Sequence, residues 1–460
     1  MIRPVAAASL IAVLLSGCAT VPQVSPAIGH PEIAEPTQIT GARGPLSDAQ
    51  IKTLIDRLTI GPTDDALLRR HLAIEQAVSS TPLVAGEQTQ LLRDGVQTFA
   101  AMFAAIKSAK TQIDLEYYIL ENVESDGVRL SDLLLAKRRE GVEINIIYDS
   151  YGSGDTPKAF FETLKAAGIR LVEYNPVDPL KAKTGYAPNQ RDHRKILVVD
   201  GTTAIVGGVN LSTTYQPNSL GKSGNVDGQP PEHWRDTDLM IKGPAAAQLQ
   251  ALFVEHWRQQ HGPAFAGPEA FPPPPSAGGA VVRILGSSPQ TAEPLYYVTL
   301  ISAIRSAQKS ITASAAYFAP TSDEMHALIQ AARRGVDVRL LLPDRSDSAL
   351  SLAVGHSHYS DLLKAGVKIY ETHNLVLHSK TVVIDGVWSV VGSSNFDHRS
   401  VIFNDEVDAV VLGGDTAAQL QAMFDDDYKS ASQIDPATWA KRPVSARLNE
   451  VYARVWQKLL

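Results

Sequence analysis

Apolar residues recur along this chain at the helical period, and they do so twice. Phe99, Met102, Phe103 and Ile106 follow i, i+3, i+4, i+7 spacing, which predicts an amphipathic helix. Tyr297, Leu300, Ile301 and Ile304 repeat that stripe 198 positions later. Around both stripes lie short runs of Val, Ile and Leu broken by glycine, which read as strands. AAIKSA at 104–109 answers SAIRSA at 302–307, and RREGVEINIIYD at 138–149 answers ARRGVDVRLLLPD at 332–344. LKAAGIRLVEY at 164–174 answers LLKAGVKIYET at 362–372. Each half therefore predicts helix, strand, helix, strand, helix, strand. That alternation implies an α/β layered domain with a largely parallel sheet. A repeat of 198 residues is far longer than the period of a stacked array, so the chain is a duplicated domain.

The stretch PAFAGPEAFPPPPSAGG at 263–279 cannot be helix or central strand, because proline lacks the amide proton both need. It is expected to link a first domain over 46–262 to a second over 280–460. At the C-terminus, Val444, Leu448, Val451, Tyr452, Val455 and Leu459 line one helical face. That stripe is expected to pack on the second domain. The alternative is contact with a membrane interface, with Trp456 and Lys458 at its edge.

Composition narrows the class. The chain has 460 residues, 44% hydrophobic and 20% charged, with a net charge of −7, which is ordinary for a globular protein. No dense Lys/Arg cluster is present, which disfavours nucleic acid as a partner. The single cysteine, Cys18, rules out an internal disulfide. It follows Arg3 and an apolar run, Val5 to Leu15, too short to span a bilayer. Leu15-Ser16-Gly17-Cys18 then resembles the lipobox of bacterial lipoprotein signal peptides. The resemblance implies removal of residues 1–17, acyl chains on Cys18 and a Pro-rich tether over 18–45. Ala19, where Asp would retain a lipoprotein at the inner membrane, implies the periplasmic face of the outer membrane. An ordinary secretory signal with an incidental cysteine is the plainer alternative.

One eighteen-residue pattern carries the chemistry. HRKILVVDGTTAIVGGVN at 193–210 and HSKTVVIDGVWSVVGSSN at 378–395 place His, Lys, Asp, Gly and Asn at identical offsets. Strand alternation puts His193 with Lys195, and His378 with Lys380, on one face each. Asp200-Gly201 and Asp385-Gly386 are hairpin signals. Small residues before Asn210 and Asn395 let a ligand approach. A single HxK is more often structural than catalytic. Core packing would repeat the valines, however, and would not repeat His, Lys and Asn. Lysine and asparagine donate to phosphate oxygens. One histidine can attack phosphorus while the other protonates the leaving oxygen. Two lysines neutralise the charge that a metal would otherwise handle, so no metal and no cofactor is expected.

HxKxxxxD followed after six residues by G-[GS]-x-N, present twice, resembles the signature of the phospholipase D superfamily. The resemblance spans roughly residues 90–430. It implies two duplicated α/β/α domains packed about a pseudo-two-fold with one shared active site. It also implies that His193 is the nucleophile and His378 the general acid. The superfamily gives each histidine a carboxylate partner. WRDTDLMI puts Asp236 in that place in the first half, and FNDEVDAVV puts Glu406 there in the second. Asp200 and Asp385 are expected to anchor turns. The extra stretch YQPNSLGKSGNVDGQPPEH at 215–233 reads equally as a surface loop or as a lid. His356, His358 and His373 show no complete zinc set.

Within the superfamily, HRKILVVDG, WRDTD and SSNFDHRS look most like bacterial cardiolipin synthases, which move a phosphatidyl group to an alcohol acceptor. The partners so implied are phospholipids and a membrane surface, acted on by a monomer, since both half-sites lie in one chain. A phospholipase D that transfers to water is the alternative. A secreted nuclease and a non-catalytic envelope lipoprotein are the readings from other classes. An acidic, duplicated chain with both motifs intact favours neither.

Overall fold

The computed structural model describes residues 21–22, 24, 38–59, 61, 64–178, 187–216, 233–265, 267, 271–291 and 294–460. Cys18 and the lipobox fall outside these residues, as does 217–232 of the insertion.

The strands of the first half are β1 (Leu83–Arg93), β2 (Gln112–Tyr117), β3 (Glu143–Asp149), β4 (Arg170–Tyr174), β5 (Lys195–Val199), β6 (Thr203–Gly207) and β7 (Thr237–Lys242). Those of the second are β8 (Ala280–Ser287), β9 (Ser310–Ser314), β10 (Asp337–Pro343), β11 (Lys368–Thr372), β12 (Thr381–Ile384), β13 (Trp388–Gly392) and β14 (Asn404–Leu412). The first half orders them β4-β3-β2-β5-β6-β7-β1. The second orders them β11-β10-β9-β12-β13-β14-β8, the same permutation. β1 pairs antiparallel with β8, its own counterpart, and so joins the two sheets.

The sheet departs from the expected parallel one. Among the fourteen strands named above, only β4-β3-β2 and β11-β10-β9 run parallel. The motif hairpins reverse the chain at Asp200-Gly201 (φ +52° and +63°) and Asp385-Gly386 (φ +55° and +70°), so the strands that follow are antiparallel. Two successive positive φ values match the tight hairpin turn whose twist suits a sheet, and Asp-Gly supplies them at little strain.

The helices that follow β1 and β8, Asp94–Ser108 and Leu295–Ser306, bury the repeated stripes in the two outer cores. A third core takes inward residues from both sheets, including Ile196, Val198, Val383 and Val407. Strand alternation explains the division: Leu197 and Val199 of the same strand face the first outer core.

Two segments pack differently from the sequence reading. Helices α1 (Asp48–Leu58) and α2 (Asp64–Val78) fall within 46–262, yet their apolar faces join the core of the second half. Buried polar groups fix α2 there. Glu75 accepts from Trp388 Nε1 at 2.7 Å and pairs with Arg283 at 3.0 Å. The C-terminal helix α3 (Val444–Val455) turns its small side inward. It buries Ala453, and Arg442 ties down Glu450 at 2.6 Å. Val444, Leu448, Val451, Tyr452 and Val455 are therefore 62–74% exposed, not packed on the domain, while the Leu459 side chain lies outside the described set. Alanine permits close approach to the helix at Ala349–Ala365, which the branched side chains of the stripe would not. No helix among the described residues is long and apolar enough to cross a membrane.

Removing one partner of a buried ion pair leaves an uncompensated charge, at about 3–5 kcal/mol. Glu75→Ala is thus expected to destabilise the protein by about that amount in urea titrations, since Arg283 loses its carboxylate partner and Trp388 its acceptor. A loss under about 1 kcal/mol would show that α2 is not integral to the second half.

Candidate active site

Short parallel ladders connect the halves just before each motif. Arg191–Asp192 pairs with Asn404–Asp405, and His193 N donates to Asp405 O at 2.9 Å. Leu375–Leu377 pairs with His233–Arg235, and His378 N donates to Arg235 O at 2.8 Å. These ladders lay the start of each HxK beside the carboxylate segment of the opposite half.

The imidazole–carboxylate pairs are accordingly crossed. His193 Nδ1 lies 3.0 and 3.1 Å from the carboxylate oxygens of Glu406. His378 Nδ1 lies 2.7 Å from Asp236 Oδ2. The sequence reading named both carboxylates, one in each half. The structure gives each to the histidine of the other half, because sheet packing and not chain proximity sets the neighbours. A carboxylate facing Nδ1 holds the proton there and leaves Nε2 as the basic atom. Each carboxylate is itself secured. Glu406 accepts from Ser393 Oγ (2.5 Å), Ser400 Oγ (2.9 Å) and Asn404 Nδ2 (3.1 Å). Asp236 accepts from Tyr215 Oη (3.1 Å) and Thr237 N (2.8 Å).

Both lysines are buried. Lys195 Nζ donates to His193 O at 2.5 Å, and Lys380 Nζ lies 3.1 Å from His378 Nε2. Burial, opposed by Glu406 and aided by the Lys380 charge, lowers the Lys195 ammonium to about 7. Burial likewise depresses Lys380, although Asp236 and Glu406 oppose it. Burial brings His193 down to about 4 despite Glu406. Burial, then the Lys380 charge, depresses His378. Burial alone would raise Glu406 and Asp236. Their basic partners outweigh it and hold both below the usual carboxylate range. The result is two neutral imidazoles, two carboxylates and two ammonium groups sensitive to a nearby anion.

Asn210 and Asn395 lie on the turns after the motif hairpins. Asn210 Oδ1 accepts from Ile119 N at 3.3 Å, and its side chain also meets Tyr215. Asn395 Oδ1 is buried and meets no partner among the described residues. Asp200 accepts from the backbone of Lys110, Thr111 and Gln112, and Asp385 from Gln308, Lys309 and Ser310. Both tie the hairpin to the start of β2 or β9, at the opposite end of the hairpin from His193 and His378, and Asp385 also meets His71 at 3.2 Å. His356, His358 and His373 do not converge: they meet Glu371, Gln457 and Asp344 separately. Glu116, Asp192 and His256 do converge within 4.8 Å, and the Arg194 guanidinium already supplies a cation to that cluster.

Several residues escaped the sequence reading. Tyr215 and Ser400 each stand five residues after a motif Asn, and each donates to a histidine's carboxylate partner. Asp238 and Asp408 each stand two residues after such a carboxylate. They accept from Val209 N (3.0 Å) and Ser394 Oγ (2.6 Å) and so hold the Asn turns. Burial raises Asp408 to about 8, which keeps it neutral. The repeated offsets were the available signal. Tyr118 and Tyr317 have no such signal, yet their rings meet His193 and His378 at 5.3 and 6.0 Å.

Residues 102–257 and 300–428 match the family model "Cardiolipin synthase, PLD-like domain". The chain belongs to the phospholipase D superfamily. Among curated superfamily proteins, a cardiolipin synthase of Geobacillus kaustophilus is 35% identical over 411 residues, 88% of this chain and 78% of the relative. Cardiolipin synthase 1 of Bacillus anthracis is 33% identical over 400 residues, 85% of this chain and 76% of that one. The fold is shared with phosphatidylserine synthase of Haemophilus influenzae, at TM-score 0.63 and 12% identity over 86% of this chain and all of that one. It is shared also with polyphosphate kinase of Porphyromonas gingivalis, at 0.51 and 13%, over 81% and 54%.

These titrations set a pH profile for the free enzyme. Neutral His193 is present above about 4, and the ammonium form of Lys195 is present below about 7. The kcat/KM on a soluble nitrophenyl phosphodiester is expected to peak between those values and to fall roughly tenfold per unit well above pH 7. Bound phosphate favours the ammonium, so the alkaline limb of kcat should lie higher. A profile flat from pH 6 to 9 would contradict the assignment.

Proposed function

We propose that the protein transfers a phosphatidyl group from one phospholipid to an alcohol or phospholipid acceptor, in the manner of a cardiolipin synthase, through a phosphohistidine on His193. The observation that carries this reading is the crossed pairing, which makes one site from both motifs. The cardiolipin synthase relatives supply the lipid class.

His193 suits the nucleophile. Its Nδ1 faces Glu406, its depressed pKa keeps it neutral, and its Nε2 makes no hydrogen bond among the described residues. Nε2 attacks phosphorus, and the bond from phosphorus to the leaving oxygen breaks. His378, brought to its protonated form by the bound phosphate anion, gives that oxygen a proton. The acceptor hydroxyl then loses its proton to His378 and attacks phosphorus, and the N–P bond breaks. Lys195, Lys380, Asn210 and Asn395 hold the non-bridging oxygens. Phospholipase D hydrolysis is the same sequence with water as acceptor. Mass spectrometry after incubation with phosphatidylglycerol separates the two: a dimeric phospholipid marks transfer, and phosphatidic acid alone marks hydrolysis.

The lipobox supports a lipid anchor on Cys18 and a place in the cell envelope, at the outer membrane by the Ala19 rule. Cys18→Ser should abolish incorporation of labelled palmitate. Normal labelling in that variant would eliminate the anchor.

The order of the histidines is tested by a donor that needs no acid. With a nitrophenyl phosphodiester, His378→Ala should release nitrophenol and accumulate a covalent adduct on His193, because nothing activates the acceptor. His193→Ala should accumulate nothing. An adduct mapped to His378 would reverse the roles.

A further inference from the structure

Next to His193 lies a cleft of about 510 Å³, within the roughly 300–1,000 Å³ typical of ligand sites. Tyr118 forms part of its wall, and the same ring meets His193 edge-on and lies 5.5 Å from the Lys195 ammonium. Arg191 and Arg399, one from each half, line it as well. Neither belongs to an HxK motif.

Arg191 stands two residues before His193 and so shares its face. It is only 6% exposed. Its Nη1 donates to Asp149 Oδ1 at 3.3 Å, and its Nη2 donates to the carbonyls of Asn175 and Pro188 at 3.2 and 3.1 Å. Its Nε–H is buried and meets no acceptor among the described residues. A buried guanidinium N–H with no acceptor among the described residues leaves a donor that an anionic ligand could use. Arg399 donates to Asn189 Oδ1 and O at 2.8 and 2.9 Å and makes no ion pair with a carboxylate among the described residues. The rim is different in kind: Tyr151 and Val177 are 65% and 51% exposed. An amphipathic ring and an apolar side chain at the edge of a cationic cleft suit a lipid interface.

The two motif lysines account for the phosphate under attack, and a phospholipid donor with a simple headgroup brings only that one. The arginine cleft therefore has room and charge for a second phosphate. Resting on the phosphatidyl transfer proposed above, we propose that Arg191 and Arg399 hold the acceptor's own phosphate in this cleft and so set the preference for a phospholipid acceptor over a simple alcohol. The acceptor's free hydroxyl loses its proton to His378, its oxygen bonds to phosphorus, and the N–P bond at His193 breaks. The acceptor's own phosphate is held by Arg191 and Arg399 and is unchanged.

The test is a ratio. With one phosphatidylglycerol donor, kcat/KM is measured for short-chain phosphatidylglycerol and for glycerol as acceptors. Arg399→Gln should lower the ratio of the first to the second by about tenfold or more, through a higher KM for the lipid acceptor, because a charge-assisted fork is lost. Arg399→Lys, which keeps the charge without the fork, should recover part of it. In the wild-type enzyme, sn-glycerol 3-phosphate should compete with the lipid acceptor. A ratio unchanged within about twofold in an Arg399→Gln protein that melts like the wild type would overturn the cleft assignment, and so would inhibition unrelieved by lipid acceptor. A wild-type enzyme that transfers to neither alcohol would sink the transferase reading itself.

Discussion

Everything at this site depends on two buried imidazole–carboxylate pairs that cross from one half of the chain to the other. Glu406 and Asp236 have no exposed surface, and an isolated carboxylate in such a place would be held neutral by desolvation. Opposite charge and donated hydrogen bonds keep both ionised. The opposite charge comes from across the interface. Neither half by itself contains a complete site, and the duplication is therefore functional as well as architectural.

The sheet makes the crossing possible. β1 and β8 join like edges, so the repeat generates two equivalent surfaces that meet in a shared core. The short parallel ladders at Arg191–Asp192 and His233–Arg235 then fix register at each motif. Register matters because a slip of one residue would turn His193 and Lys195 away and present Arg194. Arg194 is instead held beneath the site by Glu116 at 3.3 Å, with Asp405 nearby at 3.7 Å. Behind the first charged layer, neutral Asp408 and its counterpart Asp238 tie down the Asn turns, so the residues proposed to meet phosphate are themselves braced.

Local pattern made much of this legible. The HxK hairpins, the helix stripes at Phe99 and Tyr297 and the turn role of Asp200 and Asp385 all follow from neighbours within a few residues, and they stand where the periodicity puts them. The reading failed where it extended a local pattern to a tertiary contact. The stripe at Val444–Val455 has the moment of a packed helix, but Ala453 and Glu450 won the buried side through a close approach and an ion pair. Helices α1 and α2 open the first half yet serve the second, a choice made by Glu75 meeting Trp388 and Arg283 more than 200 residues away.

By itself, then, the sequence determined the duplication, the hairpins and the inventory of two His, two Lys and two Asn, because each depends on spacing that a strand or turn converts directly into direction. Only the tertiary structure decided which carboxylate serves which histidine. His193 and Glu406 are 213 positions apart, His378 and Asp236 are 142 apart, and nothing in the chain between them sets that choice. It is made by two like sheets that pair edge to edge, which brings the carboxylate segment of one half alongside the motif of the other.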